Sequence, residues 1–161
     1  MVGGKLMSAC AIKGPQIKMP PLEKIPEAYS AIADKRIAMS LDQATVSSSD
    51  YKKTYLVEWV GDTYSSNDNA TYWQGYPGYP IIAALLLQGR LPYFPEDVLK
   101  FKGFDWNQLN TAHKNNYASA SADVMHRLTY DREDADMLNK HIIKIHQDLA
   151  QLNLPNQRGR I

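Results

Sequence analysis

The sequence predicts an α+β fold, a small antiparallel β-sheet with a ββα module packed against a C-terminal pair of long α-helices. Three observations predict it. Residues 54–60 alternate, with Tyr55, Val57 and Trp59 on one face, as a half-buried strand does. The apolar run Ile81 to Leu87 follows a Gly-Tyr-Pro turn, and Gly89 and Pro92 form a strong stop signal after it, the pattern of a short apolar helix. Leu138, Ile142, Ile145, Leu149 and Leu152 alternate by four and three residues, the stripe of a helix that packs lengthwise on a partner.

In chain order, residues 1–22 carry Lys5, Lys13 and Lys18 with no acid before Glu23, and glycine and proline at a density that opposes helix. They read as an extended basic arm. Pro26-Glu27 opens a short helix to about Lys35, because proline suits the first helical turn. Two short strands follow near Arg36 to Leu41 and Ala44 to Ser48, with Asp42-Gln43 between them, and Ser48-Ser49-Asp50 turns the chain into the alternating strand. A Gly-Asp turn, a polar loop and Gly-Tyr-Pro lead to the apolar helix. Tyr93, Phe94, Phe101, Phe104 and Trp106 are too dense to be all exposed and are expected to join the sheet module to the helices. A helix from about Asn107 to Leu128 carries Leu109, His113, Tyr117, Ala120, Val124 and Leu128 at helical spacing. The last helix starts near Asp131 or Asp134, whose carboxylates suit a helix N-terminus, and stops at Pro155. The domain is therefore 23–154, with a basic tail at 155–161 that holds Arg158 and Arg160.

At 161 residues the chain is long enough for a real core, and a net charge of +1 excludes a strongly polyanion-seeking body. The single cysteine, Cys10, excludes an internal disulfide and any cysteine-based zinc cluster within one chain. No apolar run approaches the roughly 20 residues of a membrane helix, so an intracellular protein, cytoplasmic or nucleoid, or a virion component, is expected.

The order from Thr54 to Gln88 of strand, turn, polar loop, Gly-Tyr-Pro and apolar helix resembles the SWIM zinc finger, over roughly residues 44–88. That family pairs Cys-x-Cys with a later Cys-x-His at the mouth of a helix. In this chain the four ligand positions fall on Tyr64, Ser66, Gly78 and Pro80. None of these can supply the thiolate and imidazole shell that structural zinc requires. The resemblance implies a metal-free descendant and, because such modules bind DNA or proteins, a binding protein and not an enzyme. The crowded aromatics Tyr64, Tyr72, Trp73, Tyr76 and Tyr79 are expected to replace the metal by packing, with a stacking or interface surface as the other reading.

Other chemistry is thin. His141 and His146 are five apart and do not share a helix face as an i,i+4 pair would. The Asp131, Glu133, Asp134, Asp136 cluster lacks the glycine and spaced carboxylates of a calcium loop. No glycine-rich phosphate loop, metal site or nucleophile elbow is present, so no cofactor and no small-molecule substrate are expected. Basic ends on a mildly acidic body suit a grip on a nucleic-acid backbone. The expectation is a structural subunit of a nucleoprotein assembly, a virion coat or chromatin-like protein. Its partners are nucleic acid, DNA in the first instance, and copies of itself or a related subunit. The contacts expected are Lys5, Lys13, Lys18, Arg158 and Arg160. The competing expectation is a protein-interaction adaptor that uses the Leu138 to Leu152 seam and binds no nucleic acid.

Overall fold

A computed structural model describes residues 18–103 and 132–155. It has a four-stranded antiparallel sheet with helices, including a long C-terminal one, and is an α+β fold. The strands β1 (Ile37–Met39), β2 (Gln43–Ser47), β3 (Thr54–Val60) and β4 (Thr63–Ser66) lie in sequence order across the sheet. Register pairs Ala44 with Val57 and Val57 with Ser66, and all three side chains are buried on one face. Gln43 and Thr45, on the alternate face, are exposed, which is the period-2 pattern of a sheet covered on one side.

Strand β4 corrects the sequence reading, which placed residues 63–66 in a polar loop. Gly61, at φ +60°, opens a two-residue turn between paired Val60 and Thr63, the position where a type II′ hairpin needs glycine. The hairpin buries Tyr64, Ser65 and Ser66. Composition hid the strand because two serines and a threonine carry little apolar signal.

Helix α1 (Lys24–Ala33) is central: it touches α2 (Tyr79–Leu87), α3 (Pro95–Leu99) and α4 (Arg132–Leu152). Helix α2 is apolar on every side and buried from Pro80 to Leu86, as a helix enclosed by neighbours must be. It packs against β1, β3 and β4 as well as α1. Ile25, Tyr29, Ile82, Leu85, Phe101 and Ile145 are among the largest fully buried side chains.

The stripe on α4 behaves differently from its reading as an interface. Leu138, Ile142, Ile145 and Leu149 are buried in the chain's own core, and Leu152 packs partly against it. The seam is thus spent inside the molecule. Its N-terminal turn carries Glu133 and Asp134, as expected for a helix start.

Two helices end in the same way with different residues. At α2, Gly89 sits at φ +77° while its N–H donates to Leu86 O and that of Arg90 to Leu85 O, a Schellman ending with the usual glycine. At α1, the N–H of Lys35 donates to Ile32 O and that of Arg36 to Ala31 O, but the left-handed residue is Lys35, at φ +55°. The expected helix over Asn107 to Leu128, with His113, the aromatics Phe104 and Trp106, and Cys10 lie outside the described residues.

Candidate nucleic-acid interface

Antiparallel pairing gathers three distant segments at one end of the sheet. There β2 ends and β3 begins, since Ser47 pairs with Thr54. The N–H of Ser47 donates to Arg36 O, which brings in the junction of α1 and β1. Asn67 Oδ1 accepts the N–H of Leu56 at 2.9 Å, which brings in the loop after β4. Residues 34–36, 48–53 and 67–78 therefore form a common rim.

The 48–53 turn is pre-organised by two side chains. Ser48 Oγ donates to Asp50 Oδ1 at 2.7 Å and accepts the N–H of Lys53 at 3.0 Å, while Asp50 Oδ1 also accepts the N–H of Lys52 at 3.0 Å. Tyr51 sits at φ +62° with 67% of its surface exposed. A bulky residue in the left-handed region is a true outlier, and this one gains no burial in return. Lys52 and Lys53 follow it, both exposed. Among the described residues, no hydrogen bond or ion pair holds the ammonium of Lys35, Lys52 or Lys53.

The 67–78 loop is held from inside by a buried polar chain. Ser66 Oγ accepts the N–H of Asp68 at 3.2 Å. The Asp68 carboxylate accepts the N–H of Thr71 at 3.1 Å and its hydroxyl at 2.9 Å, and Thr71 Oγ1 accepts the N–H of Gly78 at 3.0 Å. A Cβ on Gly78 would overlap the Asp68 carboxylate. Only glycine fits there.

This chain places the four metal-ligand positions inferred from the finger resemblance. Ser66 and Gly78 are linked by hydrogen bonds through Asp68 and Thr71. Tyr64 is directed elsewhere: its hydroxyl donates to Gln88 Oε1 at 2.6 Å and accepts from Arg90 at 3.0 Å, beyond the far end of α2. Pro80 is buried in the first turn of α2. Among the described residues, no group of three or more His, Cys, Asp or Glu side chains could hold a metal.

The aromatic cluster divides. Tyr64 is buried and stacks on Trp59, ring centres 5.7 Å apart, while Tyr79 is partly buried and meets Tyr55 edge-on. Those two rings pack as expected. Trp73 does not: on a π-helical turn, Ala70–Gln74, it is 68% exposed and touches the also exposed Tyr72 edge-on at 4.7 Å. A left-handed Gly75, at φ +78°, ends that turn and carries the chain back into the fold. The ammonium of Lys18 donates to Gln74 O at 2.8 Å and lies 5.8 Å from the centre of the Tyr76 ring. The segment that bears Lys5 and Lys13 thus joins the described chain beside the exposed tryptophan. Lys5, Lys13, Arg158 and Arg160 themselves lie outside the described residues.

Beneath the rim, Arg36 is buried and donates to Ser47 O at 2.6 Å and to Ser30 Oγ at 3.3 Å, with the Asp34 carboxylate 3.7 Å away. Burial pushes the neighbouring Tyr79 hydroxyl well above its ordinary value, opposed by the Arg36 charge, so this phenol stays neutral and the pair is structural. The carboxylates of this end are likewise hydrogen-bonded. Asp34 accepts the N–H of Gly103 at 2.7 Å, Asp50 caps its own turn and Asp68 supports the loop.

A second polar pair lies away from the rim, between α3 and α4. Asp97, only 5% exposed, meets Nδ1 of His141, whose ring stacks flat on Phe94 at 3.7 Å. Burial raises the Asp97 carboxyl, and contact with His141 partly offsets that. Sequence spacing tested His141 against His146, five residues on, whereas its partner is 44 residues back. The signal that could have found the rim was equally remote: Lys35, Tyr51-Lys52-Lys53 and Trp73 converge only once the strand order is known.

A family model described as "Uncharacterised conserved protein UCP014422" matches residues 17–155. No curated protein and no solved structure matches the chain. With most of its length inside that match, the chain belongs to this family.

Proposed function

We propose that this family member is a non-enzymatic nucleic-acid-binding protein, a subunit of a nucleoprotein assembly that grips the DNA backbone with the lysines of the sheet rim and of its basic ends. One observation carries the reading. Lys18, Lys35, Lys52 and Lys53 stand exposed at the same end of the sheet as Tyr51, Tyr72 and Trp73, while the nearby carboxylates Asp34, Asp50 and Asp68 are engaged with backbone or buried groups. With Arg36, the cations named at this end outnumber its carboxylates, so positive charge is in excess there although the whole chain is nearly neutral. Many copies laid along one strand would make the assembly. The burial of the α4 stripe in the chain's own core favours this reading over an adaptor that would use that stripe.

Titration of the full chain with DNA between low and physiological salt tests the proposal. Affinity should fall steeply, and the slope of log affinity against log salt should shrink by about 0.9 for each phosphate contact removed from duplex binding, as in Lys52→Ala and Lys53→Ala. Salt-insensitive binding, or none, would remove the nucleic-acid reading.

A further inference from the structure

We infer that the strand this rim takes is single-stranded, with unpaired bases laid on Trp73, Tyr72 and Tyr51 and phosphates held by Lys18, Lys52 and Lys53. The inference rests on the nucleic-acid reading above and goes further in naming the form of the ligand. Its first ground is the rings. Trp73 and Tyr51 are both about two-thirds exposed, so flat aromatic surface faces solvent at two places on one rim. Inside a duplex every base face is already stacked on its neighbour, and only an unpaired base can offer one to a protein ring.

The second ground is the kind of cation. Sequence readout in a duplex groove favours arginine, whose fork meets guanine with two bonds, whereas lysine is a point charge suited to a phosphate. The exposed cations at this end are lysines. Arg36 is buried beneath them, and Arg90 is held by Asp62 and Tyr64 near the opposite end. The rim is equipped to follow a backbone and to stack, without reading base edges.

The third ground is Tyr51. Its left-handed backbone would suit glycine or asparagine, the ring is not packed, and two exposed lysines follow directly. Strain kept at an exposed aromatic, inside a turn otherwise fixed by Ser48 and Asp50, is explained if the ring is displayed for a ligand. The rings lie on the β2–β3 turn and on the loop after β4, so a strand crossing the rim would meet one and then the other.

Full-length protein titrated with oligo(dT), oligo(U) and a duplex of equal length decides it. Both single strands should bind at least about tenfold more tightly than the duplex and quench tryptophan fluorescence, because stacking is indifferent to the sugar. Trp73→Ala should weaken single-strand binding about tenfold or more while leaving the salt slope unchanged, and Trp73→Phe should restore most of the affinity without the quench. Tyr51→Gly should bind more weakly even though it melts at a higher temperature, which separates a lost contact from a damaged fold. Equal or tighter binding to the duplex, or unchanged single-strand affinity in Trp73→Ala, overturns the inference and leaves the salt-dependent backbone grip standing. No binding to any of the three removes both.

Discussion

At one end of the sheet the chain reverses at Gly61-Asp62 and at Ser40 to Asp42; at the other it reverses through residues 48–53 and 67–78. The first end uses cheap chemistry. Gly61 takes the positive φ, Ser40 bonds Gln43 O through both its N–H and its hydroxyl, and Asp62 is neutralised by Arg90 at 2.8 Å. The second end has longer connections, and two of its residues, Lys35 and Tyr51, hold left-handed backbone with full side chains. At the first end the positive φ falls on glycine, and at the second Gly75 takes one in the 67–78 loop. Where a turn displays a charge or a ring, a conformational cost of order 1 kcal/mol per residue is retained. The difference is what the proposed ligand surface at the second end would require.

The largest test of that contrast is Gly78→Ala. Its new Cβ would drive the Asp68 carboxylate out of the buried chain that supports the rim loop, so a loss of about 3 kcal/mol is expected in denaturant unfolding. A loss under 1 kcal/mol would mean that the loop is not supported from within. Thr71→Val, which removes the link between Asp68 and Gly78 and leaves both under-bonded, should cost about 2 kcal/mol by the same measurement.

A mirrored set comes next in size. Gly61→Ala and Gly89→Ala, each at positive φ with open space around the added carbon, should each lose about 1 kcal/mol. Lys35→Gly and Tyr51→Gly should move the other way and gain up to about 1 kcal/mol, visible as higher melting temperatures. If all four variants destabilise, the rim retains no strain and the two ends are alike. The smallest effect belongs to Trp73→Ala, which should change stability by less than about 0.5 kcal/mol, as surface substitutions do. A core-sized loss would return Trp73 to the packing role that its neighbours Tyr64 and Tyr79 fill.

Much of the scaffold was legible from local pattern. The alternation through Tyr55, Val57 and Trp59 located β3, the Gly89 stop located the end of α2, and the spacing of Leu138 to Leu152 located the buried face of α4. Periodicity speaks to which side of an element is apolar. It does not say whether the covering surface belongs to the same chain, so the α4 stripe has the pattern of an interface as much as of a core. The rim was far less legible. Lys18, Lys35, Lys52 and Trp73 are scattered over 55 positions of sequence, and strand pairing together with the contacts of Asn67 and Lys18 brings their segments to one end of the sheet. The exposure of Trp73 had no sequence signal, because a π-helical turn beside a glycine-tyrosine-proline stretch looks the same whether its rings point in or out.

His146 Nε2 lies 2.8 Å from Pro20 O, across 126 positions of sequence, in the same short segment whose Lys18 reaches Gln74. Such a contact closes a very long loop, and its entropy must be met before the contact returns anything. During synthesis Pro20 emerges well before α4 exists to receive it. The Pro20 carbonyl therefore gains this partner only once the segment that bears His146 has been made, whereas the contact of Lys18 with Gln74 needs no part of α4.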